Sequence, residues 1–347
     1  MRQIYTYPLL LAALLTVSLA GCRQEPLPEA ENAIRFSVDA DLELSSPTKA
    51  TLVNTADDMQ SGTILLYGSV TPSGSSTKQT LFDGSASSEL SYTSGKWRYT
   101  PLRYWKKGGT HDFRAVYPKD ANVQVQSESS SAAVSAVYTM SGTGVDMMVA
   151  SAPAATVGSP VTLQFQHACA AVRFFFKDPN REEGSANATY NIKDFKLQYL
   201  YTTGTLNFNV ASTAVIPFDN WGVSGDRTQN AYAATGSAWP VPRDYDTDSR
   251  TASTEWLVVV PQNLNKETTT ETTLSFTIVV TATNQEIPVS FNLETYPDTN
   301  STPQDVIWNP GYQYSYYISI EPDAIGFSVE WNDWGEEDTN VYTYTGE

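Results

Sequence analysis

Basic residues are scarce in this sequence, and its last quarter contains none. The chain of 347 residues has 21 Lys and Arg against 38 Asp and Glu, which gives a formal net charge of −17. No Lys or Arg follows Lys266, whereas the 81 residues from 267 to 347 include 14 acids. The shortage excludes binding to nucleic acid through clustered cations, and it disfavours adsorption of the whole chain to anionic lipid through a basic surface.

Histidine and cysteine are almost absent, with two of each in the chain. Cys22 and Cys169 cannot build a disulfide framework, and the apolar run around Cys169 predicts a buried structural thiol. His111 and His167 are interpreted as structural, and no H-E-x-x-H, G-x-S-x-G or C-x-x-C motif is present. We therefore expect no enzymatic activity and no cofactor. A carboxylate pair on neighbouring strands, as glycoside hydrolysis uses, is the one catalytic arrangement that stays open.

A sustained helical period is also missing, so helices should be few and short. Thr and aromatic residues are abundant instead, and Ser, Gly and Pro interrupt short apolar runs, as is typical of β-proteins. The fold class is predicted to be all-β, with two tandem β-sandwich domains of about seven strands each over 34–155 and 156–347. Strands are predicted at 34–44, 63–70, 96–100, 111–117, 134–139, 145–150, 161–177, 192–201, 204–210, 255–260, 274–281, 287–293, 312–320 and 325–331.

The N-terminal 21 residues are typical of a secretory signal peptide. A short positive segment precedes an apolar stretch from Ile4 to Ala20, and Leu-Ala-Gly then leads into Cys22. This pattern predicts a bacterial lipoprotein in which Cys22 is acylated and becomes the mature N-terminus. Residues 22–33 are polar and contain two prolines, and they are expected to form a tether.

The clearest strand signal follows this tether. Polar and apolar residues alternate over eleven positions, which predicts a half-buried strand. Its apolar side would consist of Ile34, Phe36, Val38, Ala40, Leu42 and Leu44.

One acidic loop has the oxygen spacing of a calcium site. Asp244, Asp246 and Asp248 alternate, and Glu255 stands at the twelfth position of the loop. Ser249 occupies the position where such a turn needs glycine, so a solvated acidic loop is the alternative. We make no metal assignment beyond this weak Ca²⁺ candidate.

Several segments together resemble the fimbrillin-like family, the lipoprotein-derived type V pilins of Gram-negative anaerobes. The resemblance runs from Cys22 and the 34–44 ladder through Leu163–Val172 and Asp146–Ala150 to Asn309–Tyr314 and Trp331. It implies transthyretin-like sandwiches and a structural subunit that reaches the outer membrane as a surface-exposed lipoprotein. It also implies assembly by proteolysis and donor-strand exchange, in which a protease removes the first strand and another subunit supplies its replacement.

In this sequence the resemblance places the cut between Lys49 and Ala50, after the removable strand 34–44. Lys49 stands where the family commonly has Arg, so an uncut anchor subunit stays open as an alternative. The C-terminal segment is strand-like and could be donated to a neighbour, or it could be an edge strand of its own chain. Its residues are Val341, Tyr342, Thr343, Tyr344 and Thr345.

The expected partners are other fimbrial subunits, the outer membrane through acylated Cys22, and ligands on host or bacterial surfaces. The alternative function is an anchored adhesin or glycan-binding lipoprotein that does not polymerise. Alternate spacing favours core positions for Tyr312, Tyr314 and Tyr316 and leaves Tyr317 on the other face, where a sugar could stack on it.

Overall fold

The computed structural model describes residues 32–40, 52–127, 134–208, 216–234, 238–245, 254–264, 270–293, 295–296, 304–321, 325–333 and 340–345. The described residues form β-strands and three short 3-10 turns, at Asp58–Ser61, Ala86–Ser88 and Phe218–Asn220. None of their helices is long and apolar enough to cross a membrane. The all-β prediction is confirmed.

The first half of the described chain contains nine strands. These are β1 (Phe36–Asp39), β2 (Thr63–Thr71), β3 (Gln79–Asp83), β4 (Glu89–Thr93), β5 (Lys96–Arg98), β6 (Thr110–Tyr117), β7 (Val123–Ser127), β8 (Val134–Thr139) and β9 (Met148–Ala155).

The second half adds both long central strands and short edge pairs. These are β10 (Val161–His167), β11 (Ala170–Lys177), β12 (Tyr190–Gln198), β13 (Thr203–Asn207), β14 (Trp221–Ser224), β15 (Tyr232–Ala233), β16 (Trp239–Pro240), β17 (Leu257–Val259), β18 (Gln262–Asn263), β19 (Thr273–Val280), β20 (Gln285–Asn292), β21 (Thr295–Tyr296), β22 (Gln304–Asp305), β23 (Ile307–Trp308), β24 (Tyr312–Ile320), β25 (Ile325–Asp333) and β26 (Asn340–Thr345).

The largest sheet runs in the order β1-β10-β9-β6-β2-β4-β5, with β3 paired to β2. The outer strands β1 and β10 alternate buried and more exposed residues, whereas the central strands β2 and β6 carry runs of buried residues. Three further sheets have the orders β17-β11-β24-β25-β26, β15-β12-β19-β20 and β14-β13-β8-β7.

Two large cores occupy the opposite faces of the first sheet. Ala115 of β6 belongs to the N-terminal core, which gathers around Ile34, Phe36, Phe82, Phe113 and Met148. The next residue, Val116, belongs to the central core, which gathers around Tyr138, Phe174, Phe195, Trp308 and Tyr316. Because neighbouring residues of a strand point to opposite faces, one strand supplies both cores.

The predicted strand 161–177 is wrong as a single element. It divides into β10 and β11, because Ala168 and Cys169 carry the chain from the first sheet into the sheet of β24. Because both segments are apolar, the sequence pattern shows one continuous strand where the chain in fact passes from one sheet to another.

Pairings also cross the domain boundary proposed at about residue 155. β10 follows that boundary but extends the sheet of the N-terminal strands through β9. β8 precedes the boundary but pairs with β13. The division into two sandwiches near residue 155 therefore remains a proposal, because strands from each side of this boundary pair with strands from the other side.

Candidate functional site

The candidate site is the place where residues 32–40, here called the closing segment, complete the N-terminal sheet. On one side β1 pairs in parallel with β10, from Phe36 opposite Val161 to Asp39 opposite Gln164. The Val161 N–H donates to the Arg35 carbonyl at 2.8 Å. The closing segment is therefore an edge element at this end of the sheet.

The other side of the closing segment meets the loop that follows β5. The Ile34 N–H donates to the Arg103 carbonyl at 2.9 Å, and the Trp105 N–H donates to the Asn32 carbonyl at 3.1 Å. Since β5 and β10 lie towards opposite ends of the sheet, the segment closes the space between them. A closed arrangement of this kind satisfies backbone groups that two open edges would leave unpaired.

The side chains of the closing segment alternate as the sequence predicted. Ile34 is 1% exposed and Phe36 and Ala40 are each 8% exposed, whereas Arg35, Ser37 and Asp39 face solvent. Val38 is half-buried. The predicted alternation is thus present over 34–40, with the strand itself at Phe36–Asp39, while Leu42 and Leu44 lie outside the described residues. That this strand is removable stays a prediction.

Phe36 occupies an aromatic pocket in the N-terminal core. Its ring makes edge contacts with Phe82, Tyr99 and Phe113, at centroid distances of 5.6, 5.8 and 5.4 Å. Edge-to-face packing of this kind is worth about 0.5–1.5 kcal/mol a pair beyond the area buried. Phe36 is therefore the main apolar anchor of the closing segment.

Tyr99 joins the pocket to the backbone of the closing segment. Its hydroxyl donates to the Ile34 carbonyl at 2.8 Å and receives the Arg103 N–H at 3.3 Å. Burial raises the pKa of Tyr99, so the hydroxyl keeps its proton and acts as a donor at neutral pH.

Arg103 braces the wall of the same pocket. Its guanidinium lies over the Phe82 ring at 4.8 Å and donates to the carbonyl and the hydroxyl of Ser87, each at 3.1 Å. A further hydrogen bond joins Arg103 Nε to the Leu81 carbonyl. Because these bonds involve no atom of the closing segment, the wall has support of its own.

The chain is anchored again soon after the predicted cut at Lys49 and Ala50, two residues that lie outside the described ranges. The Val53 N–H donates to Asp146 Oδ2 at 2.8 Å, and Asp146 Oδ1 lies 2.9 Å from His167 Nδ1. The side chains of Asp146 and His167 are each 2% exposed. A buried carboxylate needs such partners, and here one of them is the backbone just downstream of the cut.

The following residues are tied to both cores. Val53 belongs to the N-terminal core, whereas Leu52 packs against the central core and against Ala171 and Trp256. Met59 is fully buried. The predicted cut therefore falls between two separately anchored segments.

Sequence reasoning missed the contact of Asp146 with Val53. The only signal was an acid directly before the apolar run from Met147 to Ala150, and nothing in that run identifies a partner 93 residues away. His167 was predicted to be structural, and its buried contact with Asp146 supports that role.

The candidate donor segment forms β26 in this structure. It pairs antiparallel with β25, from Asn340 opposite Trp331 to Thr345 opposite Gly326. The backbone thus adopts the second of the two expected arrangements, an edge strand of its own chain. Donation to a neighbour stays a prediction.

The calcium candidate gains no support from geometry. Asp244 and Glu255 are exposed, and Asp246 and Asp248 lie outside the described residues. Among the residues that the structure describes, no group of three or more His, Cys, Asp or Glu side chains could hold a metal ion.

The remaining candidates are packed into the fold. Cys169 is fully buried, and burial followed by the Asp146 charge raises the pKa of its thiol. His111 is buried and accepts the Lys106 N–H at 3.1 Å, and burial lowers the pKa of its imidazole. Both residues have the structural roles that the sequence predicted.

The aromatic residues of β24 divide between the two faces as predicted. Tyr314 and Tyr316 are buried in the central core, with Tyr312 half-buried beside them. Tyr317 lies on the other face, where its ring stacks on Phe175 at 5.0 Å and contacts Tyr245 at 4.8 Å. Since ring neighbours already occupy Tyr317, the arrangement offers no open platform for a sugar.

These features define an all-β protein whose first described strand is a side-chain-anchored edge element. The family model described as Fimbrillin-like matches residues 48–334, and the chain belongs to this family. The family consists of fimbrial structural and adhesin proteins, which places the chain among the proteins of cell-surface appendages.

Three solved bacterial proteins are similar to this chain at low sequence identity. A protein of Bacteroides ovatus assigned to cell adhesion is 16% identical, with 88% of this chain and 99% of that chain covered and a TM-score of 0.49. The tip fimbrial protein Mfa3 of Porphyromonas gingivalis, truncated at its C-terminus, is 10% identical, with 80% and 97% covered and a TM-score of 0.40. A fimbrial assembly protein of Parabacteroides distasonis is 8% identical, with 90% and 100% covered and a TM-score of 0.39. No curated protein sequence matches the chain.

Proposed function

We propose that this protein is a structural subunit of a surface fimbria that is exported as a lipoprotein acylated on Cys22. A trypsin-like protease cuts after Lys49 and releases the closing segment, and a strand from another subunit takes its place. No catalysis is needed from the chain itself. The partners are other subunits and, before cleavage, the outer membrane.

The observation that carries this proposal is the way in which the closing segment is held in the fold. The β10 ladder and backbone bonds to Arg103 and Trp105 hold it on its two sides, and Ile34 and Phe36 are its large buried side chains. Its loss would leave the β10 edge and the Trp105 N–H without their backbone partners beside an open aromatic pocket. A strand with a similar alternation would satisfy both the backbone and the pocket, as in β-strand addition.

The contacts on either side of the proposed cut support release of the upstream segment while the downstream segment stays bound. Upstream residues depend on the pocket, whereas downstream residues are held by Asp146 and by Met59 in the N-terminal core. Cleavage between them would free the first group and leave the second in place. The new N-terminus would therefore stay folded against the subunit body.

Purified precursor tests the proposal when it is treated with trypsin and then mixed with fresh subunits. We expect an N-terminus at Ala50, loss of the 22–49 peptide and growth of oligomers on native gels. The Lys49→Gln variant should stay uncut and monomeric, while Lys107→Gln, which changes an exposed lysine elsewhere, should behave as wild type. Protein that is cut after Lys49 and stays monomeric with fresh subunits would refute assembly by this route.

The protease specificity can be tested separately. An Arg-specific protease should leave the wild-type cut site intact and should cleave the Lys49→Arg variant after residue 49. Cleavage of both proteins at this position would show that Lys49 does not protect the precursor.

A further inference from the structure

Large exposed apolar side chains gather at one end of the N-terminal sheet. Leu102, Tyr104 and Val157 are 52%, 39% and 42% exposed, and they are three of the four large apolar side chains most exposed among the described residues. The fourth, Ile287, is 39% exposed and belongs to β20 in another sheet. Single exposed apolar residues are ordinary, but their concentration at one end is informative.

All three residues lie around the point where the chain arrives from its tether. Tyr104 forms a bridge with Ala33, and Leu102 is adjacent to Arg103, which bonds the closing segment. Val157 lies in the turn that leads into β10, whose first residue pairs with Phe36. We call this part of the molecule the tether end.

The tether end has a different charge from the rest of the protein. Its basic side chains are Arg35, Lys78, Arg103, Lys106 and Lys107, and its one described acid is Asp112, which pairs with Lys78 at 3.3 Å. The tether adds Arg23 and the three acids Glu25, Glu29 and Glu31, so this end is close to neutral.

The negative charge is concentrated elsewhere. Residues 267–347 contain fourteen acids and no Lys or Arg, and the acids within their strands are Glu286 of β20, Asp305 of β22, and Glu330 and Asp333 of β25. The first residue of β10 is at the tether end, whereas its last residue, His167, leads directly into β11 and the sheet of β24 and β25. The sheet of β24 and β25 therefore follows the end of β10 that is opposite the tether end.

We propose that, in the acylated precursor, the tether end lies against an anionic lipid surface and the acidic C-terminal strands point away from it. Ten residues from Cys22 to Asn32 reach at most ~35 Å, so the acyl chains hold this end close to the bilayer. Affinity comes from the acyl chains, and the exposed apolar side chains enter the headgroup region. Repulsion between anionic lipid and the acidic strands sets the orientation. The inference rests on the proposed lipoprotein function.

Fluorescence quenching in vesicles tests the orientation with the full acylated chain. Val157→Cys and Ile287→Cys variants carry an environment-sensitive fluorophore, while Cys169 is fully buried and stays unlabelled. The vesicles contain phosphatidylethanolamine and phosphatidylglycerol with a headgroup-attached nitroxide quencher. The label at 157 should shift to shorter wavelength and lose most of its fluorescence, whereas the label at 287 should keep both its wavelength and its intensity.

The outcomes separate this inference from the proposed function. Mass spectrometry of the N-terminal peptide shows whether Cys22 is acylated, and absence of acyl chains would overturn both proposals. Acylated protein with equal quenching at 157 and 287, or with none at 157, would overturn the orientation alone. A shift at 157 that grows with protein density and is insensitive to the lipid quencher would instead indicate contact with a second copy, and it too would overturn the orientation.

Charge reversal tests the electrostatic part of the inference. Lys106→Glu combined with Lys107→Glu should reduce quenching at 157 in the anionic vesicles and should have no effect in phosphatidylcholine vesicles. Equal quenching of this variant and the parent in anionic vesicles would overturn the role of charge.

Discussion

Replacing Phe36 by alanine should detach the closing segment without unfolding the rest of the protein. The ring is 8% exposed and has three aromatic neighbours, so its removal leaves a cavity between Phe82, Tyr99 and Phe113. Buried Phe→Ala changes cost about 3–5 kcal/mol, and an edge strand can partly collapse into the space, so we expect ~3 kcal/mol. A loss of this size is comparable with what the short β1 ladder contributes, because a net backbone hydrogen bond is worth only about 0.5–1.5 kcal/mol.

The assay is hydrogen exchange by mass spectrometry on uncut precursor. Amides of 34–39 should exchange much faster in Phe36→Ala, while those of β6 and β9 should change little. The matched control is Ser37→Ala, which alters the solvent-facing side of the same strand and removes only an exposed 3.2 Å contact with Thr162. A change under about 1 kcal/mol in the opening free energy of 34–39 would show that the pocket does not hold the segment.

Three further changes test the surrounding structure. Asp146→Ala should speed hydrogen exchange of the Val53 amide more than that of the β1 amides, because it removes the acceptor of the Val53 N–H. Unaltered protection of Val53 would contradict this anchor. Asp83 has a pKa lowered to about 2 from 3.8, mainly by the Ser85 hydroxyl, so its stabilisation is present above about pH 4 and is lost as the pH falls towards 2. Asp83→Asn should therefore lower the free energy of unfolding in urea at pH 7 by under ~1 kcal/mol, because the group is exposed, and an equal deficit near pH 2 would contradict the assignment. Gly84→Ala should lower the thermal midpoint, because φ is +76° and the added Cβ meets the Tyr67 ring, and an unchanged midpoint would argue against this close contact.

The local pattern predicted most strands, but not where they pair. The ladder from Ile34 to Ala40, the strand at 134–139 and the two long strands after Tyr312 were visible because a strand exposes alternate residues. The pairing of β1 with β10 joins residues 125 apart, as Ser37 and Thr162 show. No local period encodes such a partner. The short strands β3, β4 and β7 were also not predicted, because each has only five residues and is rich in polar side chains.

The candidate site was likewise predicted only in part from the sequence. The apolar face of the closing segment follows from its own sequence, but its pocket does not. Phe82 comes from β3, Tyr99 from the loop after β5 and Phe113 from β6, and only the folded sheet brings them around Phe36. Asp146 was equally hidden, because an acid beside an apolar run gives no indication that it will be buried under a distant backbone N–H.

The distribution of basic residues and the proposed position of the cut after Lys49 together limit what a trypsin-like protease can do to this chain. Strands β19 to β26 contain no Lys or Arg, so such a protease has no cleavage site within them, whether folded or transiently open. Lys49 lies between the closing segment and the downstream anchor at Val53, whereas Arg103 and Arg173 bond to backbone carbonyls within the fold. Proteolysis proceeds most readily where the backbone can open. A protease that recognises Lys or Arg would therefore release the N-terminal strand and leave the C-terminal strands whole, which is the outcome that exchange of one strand for another requires.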